Sequence, residues 1–137
     1  NTGTINSLAH VGTDRGYRYV YAAEVDNGGV INIESVDLRL SSVDSFENRA
    51  TGTIGGQILY VSGTGVSSRL SNGGTIDLSG RLSISGFSSI ENTGAMRSSG
   101  GSISNYTTLT NAGLIETIGS GSTLSLSGGT VINQSGA

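Results

Sequence analysis

The stretch Ile90-Glu91-Asn92-Thr93-Gly94-Ala95-Met96 carries the pattern that decides the fold. An apolar residue is followed two positions later by Asn, four positions later by Gly and six positions later by a second apolar residue. The same order recurs at 25–31, 70–76 and 109–115. Successive Asn residues of this phase are 19 to 26 residues apart. Such regular recurrence indicates a repeat architecture. The Asn residues are Asn1, Asn27, Asn48, Asn72, Asn92, Asn111 and Asn133.

Within each unit, apolar and polar residues alternate, as at Ile31 and Ile33 or at Leu82 and Ile84. This period of two is typical of β-strands, and Gly-Gly, Ser-Gly and Asn-Gly pairs separate the strands. No window has the period of an amphipathic helix. Short strands repeating about every 20 residues predict an all-β, parallel β-solenoid of about six to seven coils, stacked about 4.8 Å apart.

The repeated Asn has a structural interpretation. Its side chain can bond backbone groups at a corner, where Asn tolerates left-handed backbone, and the Gly that follows allows a tight bend. The pattern fails after Asn48, where Ala50 replaces Gly and Ile54 indicates a slip of two residues. Stacked in register, the amides are expected to hydrogen-bond from coil to coil. This structural column comprises Asn27, Asn48, Asn72, Asn92, Asn111 and Asn133.

The repeat also predicts the domain organisation. We expect one solenoid domain over 1–137, with an irregular first unit over 1–26 and regular coils over 27–137. Because Asn1 already stands inside a unit and Ala137 follows the start of another, we expect a fragment of a longer repeat protein.

Composition excludes several classes of function. The net charge is -3, all seven basic residues are Arg and there is no Cys, so neither a basic nucleic-acid surface nor a thiolate metal site is predicted. No apolar run approaches the ~20 residues of a membrane span. We predict no cofactor.

Catalysis is not expected either. His10 is the one histidine, and no nucleophile motif surrounds it. Asp26 and Glu47 each precede a repeat Asn, so they would stack one coil apart and could share a cation. Without a glycine-rich Ca²⁺-binding repeat, solvated surface carboxylates are the favoured interpretation.

The first unit contains an unusual Tyr/Arg segment. Alternation places its three Tyr on one side of a strand, with Arg18 and Val20 on the other. Tyr and Arg dominate recognition surfaces, and Tyr rings stack on sugars, although packing against a neighbouring coil is an alternative. The possible ligand contacts are Arg15, Tyr17, Arg18, Tyr19 and Tyr21.

Repeat phase also predicts a surface ion ladder. The fifth residue after the repeat Asn should point outward, and in three successive coils it is Asp77, Arg97 and Glu116. Their charges alternate, and each pair should contribute about 0 to 1 kcal/mol.

The units "IENTGAM", "LTNAGLIET" and "GSTLSLSGGTVINQSG" resemble the passenger repeats of bacterial autotransporters and of filamentous-haemagglutinin-like exoproteins of two-partner secretion. The resemblance implies a right-handed β-helical stalk, a secreted or bacterial cell-surface location, and adhesion to a host or cell-surface receptor or glycan. It carries no catalytic residue onto this chain.

Three functions follow from these observations. The first is a non-catalytic structural or adhesive segment of a bacterial cell-surface or secreted exoprotein. The second is a polysaccharide-degrading β-helix enzyme or tailspike-like protein, which the scarcity of His, the lack of Lys and the scattered acids disfavour. The third is a self-assembling fibrous protein that associates through open coil ends.

Overall fold

The computed structural model describes residues 1–7 and 18–134, and within these residues every regular element is a strand. The all-β prediction is therefore confirmed. The strands are β1 (Thr4–Ser7), β2 (Arg18–Tyr21), β3 (Glu24–Asn27), β4 (Val30–Val43), β5 (Ser45–Asn48), β6 (Thr53–Asn72), β7 (Thr75–Asn92), β8 (Ala95–Ser104), β9 (Thr108–Asn111), β10 (Leu114–Thr117), β11 (Leu124–Ser127) and β12 (Thr130–Asn133).

The strands stack in parallel as a solenoid with three faces, and the long strands β4, β6, β7 and β8 turn the corners between faces. The first face consists of 4–7, 30–33, 53–56, 75–78, 95–98 and 114–117. The second face consists of 18–21, 38–41, 59–62, 82–85, 101–104 and 124–127. The third face consists of 24–27, 45–48, 69–72, 89–92, 108–111 and 130–133.

The coil repeats about every 20 residues, as the Asn spacing predicts, and the solenoid has about 5 turns. This is fewer than the predicted six to seven coils. Each repeat Asn marks one level of the stack, whereas a turn is the interval between two levels. The interval after Asn1 also runs through 8–17, which lie outside the described residues.

The register is kept through the irregular unit that follows Asn48. The predicted slip occurs in the turn 49–52, after which Ile54 pairs with Ile31 on one side and Ile76 on the other. Gly52, not Ala50, takes the repeat Gly position, since its carbonyl accepts the amide of Thr75 at 2.9 Å. An insertion is therefore accommodated at a corner without disturbing the apolar columns.

The core runs along the solenoid axis. Alternating side chains of all three faces point inward and stack on their counterparts in neighbouring coils. Burial of each large aliphatic side chain contributes roughly 1.5 to 3 kcal/mol. The largest fully buried side chains are Phe46, Phe87, Ile33, Ile54, Leu59, Leu70, Ile76, Leu78, Leu82, Ile84, Ile90 and Met96.

The repeat glycines are required by close backbone stacking. A Cβ added at Gly94 would lie 2.0 Å from the carbonyl oxygen of Gly74, and one at Gly113 would lie 2.0 Å from that of Gly94. Neither glycine has positive φ, and among the described non-glycine residues only Ser42 and Asn105 do. The expected left-handed backbone at the repeat Asn is therefore wrong, because these residues end extended strands.

Candidate functional site

The repeat Asn side chains form one continuous hydrogen-bonded column at the end of the third face. From Asn1 to Asn133, each Nδ2 donates to the Oδ1 of the next Asn, at distances between 2.7 and 3.1 Å. Asn27, Asn48, Asn72 and Asn92 are fully buried, and Asn111 is nearly so. All six bonds point toward the C-terminal coil, so the aligned amides polarise one another.

The Asn column also satisfies the backbone at the corner. The Nδ2 of Asn72 lies 3.1 Å from the carbonyl oxygen of Ala95 and 3.3 Å from that of Gly74. Asn92 repeats this geometry with Leu114 and Gly94. The Asn side chains thus add a second donor to the carbonyls of Gly74 and Gly94, which also accept the amides of Ala95 and Leu114, and this tie between side chain and corner is the structural role of the column.

The described residues include only part of the Tyr/Arg segment. Arg15, Tyr17 and His10 lie outside the described residues. Tyr19 and Tyr21 on β2 point outward and are 54% and 76% exposed, and their rings stack with centroids 6.5 Å apart and an angle of 13° between planes. Arg18 is in register with the core residue Leu38, so it does not share the outward positions of the Tyr pair.

Two residues that were not singled out in the sequence extend this aromatic surface. Tyr19 is in register with Arg39, and Arg39 with Tyr60. The Arg39 guanidinium carbon lies 5.6 Å from the Tyr19 ring centroid and 4.4 Å from that of Tyr60. Cation–π attraction holds such a column together. In the sequence, this column could be found from the spacing alone, because Tyr19, Arg39 and Tyr60 are each about one coil period apart.

Serine hydroxyls line the remainder of the second face. Tyr60 is in register with Ser83, and beyond it Ser83 pairs with Ser102 and Ser85 with Ser104. Beside the aromatic column lies a shallow cavity of about 200 Å³. Its polar lining comprises Tyr19, Arg39, Ser41, Tyr60, Ser62, Ser83 and Ser85. We call Tyr19, Tyr21, Arg39 and Tyr60 the aromatic column surface.

On the third face, Asp26 and Glu47 are in register as expected, but Asp26 has a cationic partner. Arg49 in the inserted turn donates from Nε to Oδ1 of Asp26 at 2.6 Å and from Nη2 to Oδ2. These hydrogen bonds lower the pKa of the Asp26 carboxyl below its ordinary value. Arg49 therefore balances the charge of this carboxylate.

The predicted ion ladder lies on the first face. Asp77, Arg97 and Glu116 are in register and exposed. Arg97 donates Nε to Glu116 at 2.9 Å, whereas the described structure has no ion pair between Arg97 and Asp77. One of the two possible pairs is therefore formed.

The last coils show the surface considered for self-association. Leu126, Val131 and Ile132 are about half exposed, and the apolar columns end in a cavity of about 530 Å³. Association of two copies through this surface stays a prediction.

Among residues 1–7 and 18–134, no cluster of three His, Cys, Asp or Glu side chains could hold a metal ion. None of the described elements is a helix long and apolar enough to cross a membrane. The chain matches no family model, no curated protein and no solved structure.

Proposed function

We propose that the chain is a non-catalytic structural and adhesive segment of a secreted or cell-surface bacterial exoprotein. The structural part is supported by the way each coil is joined to the next. The long strands β6 and β7 pair in parallel along all three faces, and one Asn–Asn hydrogen bond joins Asn72 at the end of β6 to Asn92 at the end of β7. A stack bonded at every face resists bending and separation, as a stalk must.

The adhesive part rests on one observation, the outward Tyr19–Tyr21 pair. The coils at the other end of the second face have Ser at the corresponding outward positions, such as Ser125 and Ser127. The fold is satisfied by Ser there, so it does not require aromatic rings. Large exposed aromatic rings are typical of contact surfaces.

The polysaccharide-degrading alternative requires carboxylates that are free to act as acid and base or to bind a cation. Asp26, the carboxylate that the sequence placed next to Glu47, is bound by Arg49 through two hydrogen bonds. This arrangement supports a structural role for Asp26.

Adhesion can be tested with beads that carry the purified chain and are held against cell monolayers under increasing flow. We expect a Tyr19→Ser/Tyr21→Ser variant to detach at lower shear than the parent chain, while its β-sheet circular dichroism is unchanged. Asp77→Ser, on the first face, is the matched control and should detach like the parent.

Equal detachment of beads with the parent chain and of bare beads would refute the adhesive function. Release of reducing ends from a panel of polysaccharides would instead refute the non-catalytic assignment.

A further inference from the structure

We propose that Asn105 is an N-glycosylation site, which accepts a sugar on its side-chain amide from a phosphate-activated donor. The inference goes beyond the proposed function and does not depend on it. Asn105, Tyr106 and Thr107 match the acceptor pattern of Asn, any residue except Pro, and Ser or Thr. Such matches arise by chance in a chain rich in Ser, Thr and Asn, so what distinguishes Asn105 is the conformation and exposure of its segment.

This segment forms the corner between the second and third faces, where β8 ends and β9 begins, and its backbone is fixed on both sides. The Asn105 amide donates to the carbonyl oxygen of Ser127 in the next coil at 2.8 Å. The Thr107 amide donates to the carbonyl oxygen of Ser88 in the preceding coil at 3.2 Å. Tyr106 is 5% exposed and belongs to the core. Its ring anchors the corner, while the side chains of Asn105 and Thr107 stay exposed.

Both functional groups of the acceptor pattern are accessible to an enzyme. Within residues 1–7 and 18–134, neither the Asn105 amide nor the Thr107 hydroxyl has a hydrogen-bond partner. Ser88 occupies the position of Thr107 in the preceding coil, and its hydroxyl donates to the carbonyl oxygen of Ser68 at 2.7 Å. The hydroxyl at this corner is thus bound in one coil and free in the next. A sugar on Asn105 would break no hydrogen bond of the described fold.

The left-handed backbone of Asn105 does not by itself explain why Asn stands there. Its φ is 53°. Ser104 pairs with Ser85, so Gly86 takes the same position in the preceding coil, with a φ of 73°. Ser42, at the corresponding corner of an earlier coil, has a φ of 61°. Because Gly and Ser also serve at this corner, the conformation leaves the identity of residue 105 open.

A second match to the pattern, Asn133 with Gln134 and Ser135, differs in its surroundings. The Oδ1 of Asn133 accepts from Asn111 at 2.8 Å as the last bond of the Asn column, and Ser135 lies outside the described residues. A transferase would have to draw the Asn133 amide out of the column, whereas the Asn105 amide is free. We therefore expect transfer to the folded chain at Asn105 and not at Asn133.

The transfer itself needs one co-reactant, the activated sugar. Nδ2 of Asn105 forms a bond to C1 of the sugar, and the bond between C1 and the phosphate oxygen breaks with its electron pair on that oxygen. A base of the transferase takes the proton that Nδ2 loses, and nothing is oxidised or reduced. Nucleotide sugars and lipid-linked oligosaccharides both carry this bond, so either class of donor fits.

The folded full chain can be tested in two arms. One contains a soluble asparagine glycosyltransferase with UDP-glucose, and the other a membrane oligosaccharyltransferase with a lipid-linked oligosaccharide. Intact mass and peptide mapping locate any sugar. We expect modification of Asn105 in at least one arm, and the arm identifies the donor class. A synthetic peptide of residues 101–110 reports whether each enzyme accepts the motif without the fold.

Variants separate a specific acceptor from an exposed amide. Asn105→Gly should abolish transfer at an unchanged β-sheet circular dichroism signal, because Gly86 shows that glycine suits this corner. Thr107→Val should abolish transfer as well, and Thr107→Ser should retain it, since the acceptor pattern needs a hydroxyl. Asn32→Ala, which removes an amide outside the pattern, is the matched control and should be modified like the parent.

Three outcomes would overturn the proposal: no sugar on Asn105 of the folded chain in either arm, transfer that persists in Thr107→Val, or transfer to Asn133 in place of Asn105. If the peptide is modified and the folded chain is not, the fold hides the site. If neither is modified, the motif is not an acceptor for either class of enzyme.

Discussion

The side-chain amide of Asn72 donates to the side-chain oxygen of Asn92 at 2.8 Å, and both residues are fully buried although they belong to successive coils. Asn72 also accepts from Asn48 and lies within hydrogen-bonding distance of two corner carbonyls. One side chain thus pairs polar groups from three levels of the stack. Its loss leaves the buried Oδ1 of Asn92 without the donor Asn72 and removes the side-chain acceptor of the Asn48 amide, which is more costly than the loss of an exposed hydrogen bond.

We therefore expect Asn72→Ala to lower the free energy of unfolding by about 2 to 3 kcal/mol. Urea denaturation followed by circular dichroism measures the change. The control is Asn32→Ala on the first face, where the amide is partly exposed and lies 3.3 Å from Glu34. That replacement should stay within about 0.5 kcal/mol of the parent. Equal effects of the two replacements would contradict a structural role for the column.

The glycine column gives a second prediction. Gly94→Ala would place Cβ 2.0 Å from the carbonyl oxygen of Gly74, and that oxygen is bonded to the amide of Ala95. The coils would have to separate, so we expect a loss of about 3 kcal/mol or a failure to fold. Thermal denaturation and soluble yield report the two cases.

Gly55→Ala is the matched control for this clash. Gly55 pairs on the first face, its φ is not positive, and an added Cβ would meet nothing closer than 3.7 Å. This replacement should be neutral or stabilise the protein by up to about 1 kcal/mol, because it restricts the unfolded chain. Destabilisation of both variants alike would mean that Gly94 is needed for flexibility and not for close approach.

The sequence predicted the parts of the fold that depend on the position of each residue within the repeat. Because apolar residues recur at fixed offsets from Asn92 and its equivalents, the all-β solenoid, its period and the return of Ile54 to register could be derived. The reason for the glycines could not, because it lies in the distance between backbones of successive coils. A local stretch of sequence can indicate a bend in the backbone, but it does not indicate how closely Gly74 of one coil approaches Gly94 of the next.

The candidate site was predicted only in part for a related reason. Tyr19 and Tyr21 could be singled out because Tyr residues cluster in that strand, whereas Arg39 and Tyr60 are isolated in their own repeat units. Their contact depends on stacking across coils and on side-chain rotamers. Likewise, the pairing of Asp26 with Arg49 depends on the inserted turn 49–52. In the sequence this turn is visible only as a break in the repeat after Asn48.

The Asp26–Arg49 pair predicts a pH dependence. Hydrogen bonds from Arg49 lower the pKa of Asp26 in the folded protein below its ordinary value of 3.8. Its stabilising contribution is therefore complete above that ordinary value and is lost as the pH falls through the lower, folded value. Nuclear magnetic resonance titration of the Asp26 carboxyl should show this depression. Arg49→Gln should return the pKa toward 3.8, whereas Arg97→Gln, on the first face, should not change it.

An unchanged Asp26 titration in Arg49→Gln would show that the ion pair does not persist in solution. Because both side chains are about half exposed, the depression should also shrink as salt is added. A depression that is insensitive to salt would indicate that backbone groups, and not Arg49, hold the carboxylate.

Two buried serines give the last prediction, in which similar replacements have opposite effects. Ser98 is 1% exposed, and within the described residues its hydroxyl has no hydrogen-bond partner. It occupies an inward column between Leu78 and Thr117. Ser68 is fully buried too, but its hydroxyl lies 2.9 Å from the carbonyl oxygens of Gly65 and Gly86 and accepts from the Gly65 amide. A buried hydroxyl without a partner costs free energy, whereas a paired one stabilises the fold.

Ser98→Ala should therefore raise the free energy of unfolding by about 1 kcal/mol, and Ser68→Ala should lower it by about 1 to 3 kcal/mol. Urea denaturation of the two variants and the parent, at one pH and one salt concentration, provides the comparison. Since both replacements remove one buried oxygen atom, differences in side-chain volume cannot explain opposite signs. Destabilisation by Ser98→Ala would mean that its hydroxyl has a partner in solution, such as a buried water molecule, and the inward column would then be polar at this level.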